Sequence, residues 1–183
     1  MLYVPKVIGD IAGPCMFAIF MGTGRALYGI WGSKINLKNA LFGSGILCIT
    51  CYGVTVFSPW PILSLIACAI CGLSVSLMWP GTFSLSAKMY PKGGTAMFGM
   101  LAIFGDLGGS FGPWLAGFMS DNAQKSTKII EIGQVYNINL DQLGLKSGLL
   151  VSIIFPILLV VAVISLKDKK TKFSGNYEKI KNF

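Results

Sequence analysis

One carboxylate interrupts a long uncharged stretch of this chain. Asp106 stands within "AIFGDLGGSFGPW", and the nearest charged residues are Lys92 before it and Asp121 after it. If the stretch is a membrane helix, these neighbours lie about 21 and 22 Å away at about 1.5 Å per residue. An ionised acid there costs at least ~2.5–3.5 kcal/mol, and such residues usually border an ion, proton or substrate path. Because desolvation favours its protonated form, Asp106 is a candidate proton carrier, with a helix-locking hydrogen bond as the alternative.

Three other side chains could border the same path. Asp10 precedes Arg25 by about 22 Å along one predicted helix, so it is either an outer-vestibule residue or an interfacial residue beside Lys6. Trp79 and Phe83 are four residues apart and share a helix face. Aromatic side chains line many ligand pockets and can stack on sugar rings, although helix packing is the alternative for this pair.

Two cysteine pairs have the spacing of a zinc ribbon, Cys48-x-x-Cys51 and Cys68-x-x-Cys71. Both pairs lie in uncharged segments, where a thiolate ligand would be costly to desolvate. They are symmetric about a proline-containing turn, so we expect them at matching depths of one helical hairpin. Small side chains let membrane helices approach closely, and the pattern therefore favours packing over a metal site.

Glycines surround the lone acid at helical spacing. Gly105, Gly108, Gly109 and Gly112 form two overlapping small-xxx-small pairs. Such pairs allow close contact between membrane helices, so we expect tight helix packing at this level of the chain.

The composition excludes several classes of protein. The chain is 54% hydrophobic and 12% charged, about half the usual charged fraction of ~25% in soluble domains. Its net charge of +8 does not indicate a nucleic-acid partner, because six of the fifteen Lys and Arg residues follow Leu166 and most others lie in short connections. With no histidine, no serine-centred nucleophile motif and no carboxylate cluster, an enzyme is not expected. We expect no cofactor other than a coupling proton or other cation.

The uncharged segments predict five transmembrane helices. Residues 39–87 carry no charge, which is too long for one crossing of a ~30 Å hydrocarbon core. Prolines in "SPWP" cannot continue a helix, so this run is read as two antiparallel spans. The predicted spans are 5–30 (broken or kinked near Pro14), 39–58, 62–87, 94–120 and 147–166. The predicted fold class is all-α, a polytopic membrane helical bundle over residues 1–170.

The distribution of Lys and Arg predicts the orientation of the bundle. Eleven cations fall on one side and four on the other, and the side rich in cations is normally cytoplasmic. The N-terminus is then outside, residues 121–146 form an external connection that could contain a short amphipathic helix, and residues 171–183 form a cytoplasmic tail. Because an odd number of spans with an exterior N-terminus is unusual, we expect at least one further helix before residue 1. We expect a multi-pass protein of a bacterial inner membrane or plasma membrane.

Residues 21–45, "MGTGRALYGIWGSKINLKNALFGSG", resemble the cytoplasmic loop between the eighth and ninth helices of the major facilitator superfamily. The loop signature of that family combines Gly, Asp, Arg and further basic residues. The residues that match it in outline are Arg25, Gly29, Gly32 and Lys34, whereas the signature Asp is absent and Lys stands where Arg is usual. The resemblance implies that these residues form a cytoplasmic gate.

Residues 71–121 resemble the tenth and eleventh helices of fucose-permease-like members of the same superfamily. The matching positions are Gly72-Leu73, Pro80, Thr82-Phe83-Ser84-Leu85, Gly108-Gly109, Pro113, Gly117 and Asp121. The resemblance covers about residues 3–170 and places the five spans as helices eight to twelve of twelve.

The resemblance implies the C-terminal portion of a secondary active transporter, with two six-helix halves and a site between them. It would move a sugar or another small organic solute by alternating access, together with a proton carried by Asp106. The implied partners are the small-molecule substrate, the lipid bilayer and the missing N-terminal half. Alternatives are multidrug-type efflux by the same fold and a non-transporting membrane subunit.

Overall fold

The computed structural model describes residues 6–32, 35–135 and 139–166, and this part of the chain is helical and contains no strand. The helices are α1 (Lys6–Trp31), α2 (Leu37–Phe57), α3 (Pro61–Met89), α4 (Gly94–Lys125), α5 (Thr127–Val135), α6 (Leu140–Ser152) and α7 (Ile154–Ser165). The all-α prediction is confirmed over these residues. The predicted tail, residues 171–183, lies outside them.

Local sequence sets several helix boundaries. The Asn36 side chain accepts hydrogen bonds from the backbone N–H groups of Lys38 and Asn39, which would otherwise lack partners at the start of α2. Pro61 occupies the first turn of α3, where an N–H group has no helical partner anyway. α1 continues through Pro14, so a break at that proline is wrong, and the alternative, a kink, stays a prediction. A proline removes one backbone hydrogen bond, and neighbouring packing can compensate for that loss.

Helix α3 carries α1 and α2 on different faces. α1 runs parallel to α3: Gly72 lies against the Phe17 carbonyl and Gly24 lies against Ser76, and neither contact leaves room for a Cβ atom. Between membrane helices, close packing replaces the hydrophobic effect as the main source of attraction. These two glycines therefore mark the closest approach of α1 to α3.

α2 and α3 form an antiparallel hairpin with cysteines in its core. Cys48 Sγ lies 3.9 Å from Cys71 Sγ, and both side chains are buried with Cys51 in a cluster that Phe17 and Tyr52 border. The predicted matching depth of the cysteine pairs is confirmed by this contact. Within the described residues, no group of three or more His, Cys, Asp or Glu side chains is arranged to hold a metal ion. The buried contact between Cys48 and Cys71 is what the packing interpretation predicts.

Two lysines connect α2 to the last two helices. Lys38 Nζ, near the start of α2, donates a hydrogen bond of 2.6 Å to the Leu166 carbonyl after α7. Lys146 Nζ of α6 donates a 3.3 Å hydrogen bond to the Ser58 carbonyl after α2. Each ammonium group meets a helix C-terminus, where carbonyl groups lack helical partners and the helix dipole is negative. The two contacts fix both ends of the antiparallel pair.

α4 crosses α6 through small residues and is otherwise sparsely covered. Gly148 lies against the Ala116 carbonyl, and Gly144 lies against Ser120 and Gln124. α6 ends at Ser152 and α7 begins at Ile154, so the helix is interrupted at residue 153. Pro156, three residues later, has no N–H group to donate a helical hydrogen bond to that part of the helix. The α4 side chains that face away from α6 are mostly exposed.

Within the described residues, three helical segments are long and apolar enough to cross a membrane: Leu37–Phe57, Pro61–Met89 and Leu140–Ser165. α1 and α4 are not among them. The predicted external connection, residues 121–146, contains the end of α4, the short helix α5 and the start of α6, and its external position stays a prediction. Charged residues can occupy helical turns beyond the hydrocarbon, so the end of an uncharged run does not mark the end of a helix.

Candidate functional site

Two stripes of exposed residues run along α4, and Asp106 lies on the stripe whose side chains are mostly small or polar. Bulky apolar side chains form one stripe: Met100, Phe104, Leu107, Phe111, Trp114 and Phe118, each at least half exposed. The other stripe consists of Gly99, Ile103, Asp106, Ser110, Pro113 and Gly117, all exposed and small or polar except for Ile103. Both sets recur every three or four residues, as residues on one face of a helix must. Asp106 therefore lies apart from the surface best suited to lipid contact.

An aromatic cluster joins α3 to α4 beside this acid. The indole ring of Trp79 lies against Gly105, the residue before Asp106, and leaves no space there for a Cβ atom. The Trp79 and Phe83 ring centroids are 4.8 Å apart, and Phe83 stacks on Phe98 of α4 at 5.8 Å. Trp79 remains 47% exposed. Phe83 and part of the Trp79 ring are thus packed against α4, and the rest of the Trp79 ring is open to solvent near Asp106.

Arg25 lies within α1 and belongs to a similar small-residue stripe. Ala18, Gly22 and Gly29 share its helix face at helical spacing, and all four residues are exposed. Arg25 and Gly29 lie inside α1, within the predicted helix 5–30, so only the loop that the resemblance assigned to residues 21–45 begins too early. Six residues, or about 9 Å, separate Arg25 from the end of that helix.

Arg25 and Asp106 lie at nearly the same depth of the bundle. Arg25 follows Gly24, which packs on Ser76 of α3, and Asp106 follows Gly105, which packs on Trp79 of α3. These two positions of α3 are three residues apart, about 4.5 Å along the helix. The backbones of the two charged residues are therefore level to within about one helical turn.

The two charges lie on helices of opposite direction. α1 runs parallel to α3 and α4 runs antiparallel to it. At about 100° per residue, Arg25 and Asp106 each lie about a quarter turn around their own helix from the glycine that contacts α3. We name the region around Arg25, Trp79 and Asp106 the α1–α4 cleft.

The charges of the α1–α4 cleft are opposite and not in contact. Arg25 and Asp106 are both exposed, and the ion pair that would join them is not among the contacts of the described residues. A guanidinium group stays protonated and can bind a carboxylate through two parallel hydrogen bonds. A carboxylate can accept a proton or a hydrogen bond. The cleft therefore combines a fixed positive charge, a titratable acid and an aromatic surface.

The remaining predicted positions fall elsewhere. Asp10 belongs to α1, and its side chain lies outside the part of the chain described in atomic detail. Gly32 directly follows α1, where the Tyr28 ring covers it, and Lys34 lies outside the described residues. The gate and outer-vestibule roles stay predictions.

The glycines around Asp106 differ in their surroundings. Gly105 is covered by Trp79, and Gly112 has Phe155 at 3.9 Å from the position of a Cβ atom. Gly108 and Gly109 have open space at that position, so the packing role expected of these two stays a prediction.

A separate open pocket of about 230 Å³ lies between α1 and α2 above α3. Ser44, Ser74 and Ser76 are among its lining residues. Two of their hydroxyl groups already donate hydrogen bonds, Ser74 to the Ser44 carbonyl and Ser76 to the Leu73 carbonyl. The pocket therefore offers few free polar groups, and Arg25, Trp79 and Asp106 are not part of its lining.

The sequence identified Asp106 and Trp79 but did not associate Arg25 with them. The count of Lys and Arg residues and the resemblance to a loop signature both assign Arg25 to the cytoplasmic gate. A signal for Arg25 is present in the sequence: small or polar residues recur at helical spacing at Ala18, Gly22, Arg25 and Gly29. Such a face differs from the bulky apolar surface of a helix that contacts lipid. Comparisons with protein-family models, with curated proteins and with solved structures found no match.

Proposed function

We propose that the protein is part of a proton-coupled secondary transporter in a bacterial inner or other plasma membrane, and that the α1–α4 cleft forms one wall of its substrate passage. In this proposal five helical segments cross the bilayer: α1, α2, α3, α4 and α6 with α7. The C-terminus is cytoplasmic, because Lys and Arg accumulate on that side.

The observation that carries the proposal is the common depth of Arg25 and Asp106 along α3, set by the contacts of Gly24 and Gly105. Ionised groups at mid-depth in membrane segments usually face a cavity or a charged partner, since hydrocarbon solvates them poorly. Here both lie on stripes of small residues, whereas the adjacent bulky apolar stripe of α4 is suited to lipid. A water-accessible cleft satisfies both charges.

The mechanism follows from the cost of an ionised acid in a dry passage. An ionised carboxylate would be unfavourable there, so the reorientation of the solute-loaded carrier favours the protonated acid. Proton release to the other compartment then resets the cycle. A solute that binds only one protonation state is moved together with the proton.

The test uses the full-length gene product in proteoliposomes. We expect Asp106→Asn to abolish accumulation driven by a pH gradient and to leave solute exchange partly intact, because a neutral amide mimics the protonated acid but cannot release a proton. Asp141→Asn, on α6 and far from the cleft, is the matched control. Unchanged accumulation in Asp106→Asn would refute the coupling role.

A further inference from the structure

Two buried thiols on different helices are in contact in the core of the α2–α3 hairpin. Cys48 Sγ of α2 lies 3.9 Å from Cys71 Sγ of α3, and the two residues are 2% and 7% exposed. We propose that this pair is a redox site, at which a lipid hydroperoxide converts the contact into a disulfide that joins the two helices. The inference is independent of the proposed transport function.

The distance between the two sulfur atoms is compatible with bond formation. A disulfide needs an S–S bond of about 2.05 Å and Cα atoms within about 7 Å of each other, so the two helices must approach closely. They do so at this interface, where the Ser74 hydroxyl donates to the Ser44 backbone carbonyl and Gly81 lies against Leu41. The remaining gap of about 1.9 Å between the sulfur atoms is within reach of rotation about the side-chain bonds.

The other two cysteines of the hairpin lie about one turn away. Cys51 is buried in the same cluster, and Cys68 is half-buried. A bond between the two cysteines of one Cys-x-x-Cys pair would link consecutive turns of a single helix and would leave α2 and α3 unjoined. The sulfur contact therefore singles out Cys48 and Cys71 as the pair that connects the helices. Two thiols are too few for a closed zinc site, but they are sufficient for a disulfide.

The surroundings of the pair favour an apolar oxidant. α2 and α3 are both long and apolar enough to cross a membrane, so a charged oxidant would have to leave water to reach the sulfur atoms. A lipid hydroperoxide brings its peroxide group into the hydrocarbon. The partly buried side chains that pack against the cysteine cluster are also mostly apolar: Phe17, Tyr52, Ile70, Val75 and Met78. Cys71 is the more exposed residue of the pair, and we assign the first step to it.

The reaction oxidises two thiols and reduces one peroxide bond. The Cys71 sulfur attacks the outer oxygen of the hydroperoxide, the O–O bond breaks, and the lipid alcohol leaves with the thiol proton, so that Cys71 becomes a sulfenic acid. The Cys48 sulfur then attacks the Cys71 sulfur, the S–S bond forms, the S–O bond breaks, and water leaves with the second thiol proton. The two electrons lost by the sulfur atoms are gained by the peroxide oxygens. A small dithiol reverses the change by thiol–disulfide exchange.

The first experiment identifies the bonded cysteines in the unsubstituted full chain. The reduced protein, in vesicles of saturated phosphatidylcholine, is incubated for hours with a phospholipid hydroperoxide, because buried cysteines react slowly. Free thiols are then blocked, and the protein is digested without reductant for mass spectrometry. We expect a peptide pair joined through Cys48 and Cys71, absent after treatment with the corresponding lipid alcohol and lost on reduction with a dithiol. Any other pairing of the cysteines, or sulfenic acid without a bridge, overturns the proposal.

The second experiment compares two alanine variants under the same conditions. Cys48→Ala removes one partner of the pair, and Cys15→Ala removes an exposed cysteine of α1. We expect Cys15→Ala to form the bridge as the unsubstituted protein does, and Cys48→Ala to lose at least tenfold of the interhelical product. An equal loss in both variants, or a persistent link between α2 and α3 in Cys48→Ala, overturns the assignment. If Cys48→Ala fails to fold, the joined peptide in the unsubstituted protein decides the outcome.

The third experiment tests the class of oxidant. Hydrogen peroxide at the same concentration carries the same reactive bond without the apolar tail. We expect the phospholipid hydroperoxide to give at least tenfold more of the Cys48–Cys71 bridge at early times, because it partitions into the bilayer beside the hairpin. Equal or greater yield with hydrogen peroxide overturns the lipid hydroperoxide as the oxidant.

Discussion

The indole ring of Trp79 rests on Gly105 of α4, in contact so close that the glycine has no space for a side chain. We predict that Gly105→Leu displaces the ring, separates α3 from α4 and lowers the free energy of unfolding by about 1–3 kcal/mol, as overpacking usually does. Thermal unfolding followed by tryptophan fluorescence measures the change. Gly108→Leu is the control, because the space beside Gly108 is open. Equal effects of the two substitutions would contradict the contact.

Trp79 and Trp114 should contribute differently to transport. Trp79 borders the α1–α4 cleft, whereas Trp114 belongs to the bulky stripe of α4 and is 59% exposed. We expect Trp79→Ala to reduce the initial rate of uptake at least tenfold and Trp114→Ala to leave it within about twofold, since only the first ring adjoins the passage. Initial-rate uptake at matched protein amounts is the measurement. A larger loss in Trp114→Ala would argue that the bulky stripe, and not the cleft, faces the solute.

The closest approach of α1 to α3 should be sensitive to a single methyl group. A Cβ atom at Gly72 would overlap the Phe17 backbone carbonyl, which cannot move as a flexible side chain can. Gly72→Ala should therefore lower the free energy of unfolding by about 1–3 kcal/mol. Gly53→Ala, at an open position of α2, should be neutral or stabilising by up to about 1 kcal/mol through helix propensity. Denaturant unfolding in detergent compares them, and a stable Gly72→Ala variant would rule out the tight contact.

The lysine contacts at the two ends of α2 should be worth more than ordinary surface charges. Lys146→Met removes the hydrogen bond to the Ser58 carbonyl, and we expect a loss of about 0.5–2 kcal/mol in the free energy of unfolding. Lys125→Met, at the exposed end of α4, is the control and should change stability by less than about 0.5 kcal/mol. Thermal unfolding at low and high salt measures both. A loss in the control as large as in Lys146→Met would mean that net charge, and not this contact, sets the effect.

The sequence predicted the helices better than their boundaries. Uncharged runs and the Pro59–Pro61 turn located the α2–α3 hairpin within a few residues, and the symmetry of the cysteine pairs gave its register. The predicted start at residue 147 missed the first turns of α6, because Asp141 and Lys146 sit on a helix that begins at Leu140. The absence of charge predicts which residues lie in an apolar environment, whereas helix formation depends on local backbone preferences. The start of an uncharged run and the start of a helix therefore need not coincide.

The candidate site was only partly predictable for a related reason. Asp106 stood out because it is isolated along the chain, and Trp79 because of its spacing from Phe83. The common depth of Asp106 and Arg25 depends on where α1 and α4 contact α3, and on the opposite directions of these two helices. Eighty-one positions separate the two residues in the chain, and local patterns do not encode that arrangement.

The position of α2 between early and late helices has a consequence for how the chain is made. The side of α2 that faces α3 finds its partner as soon as the hairpin leaves the ribosome. On the other side, Gly45 packs on α7, Lys38 binds the Leu166 carbonyl, and the Ser58 carbonyl accepts a hydrogen bond from α6. Those partners are synthesised only after α3, α4 and α5. One side of α2 must therefore stay without its partners while these helices are made, and it is the surface on which a chaperone or a wrong neighbour would first act.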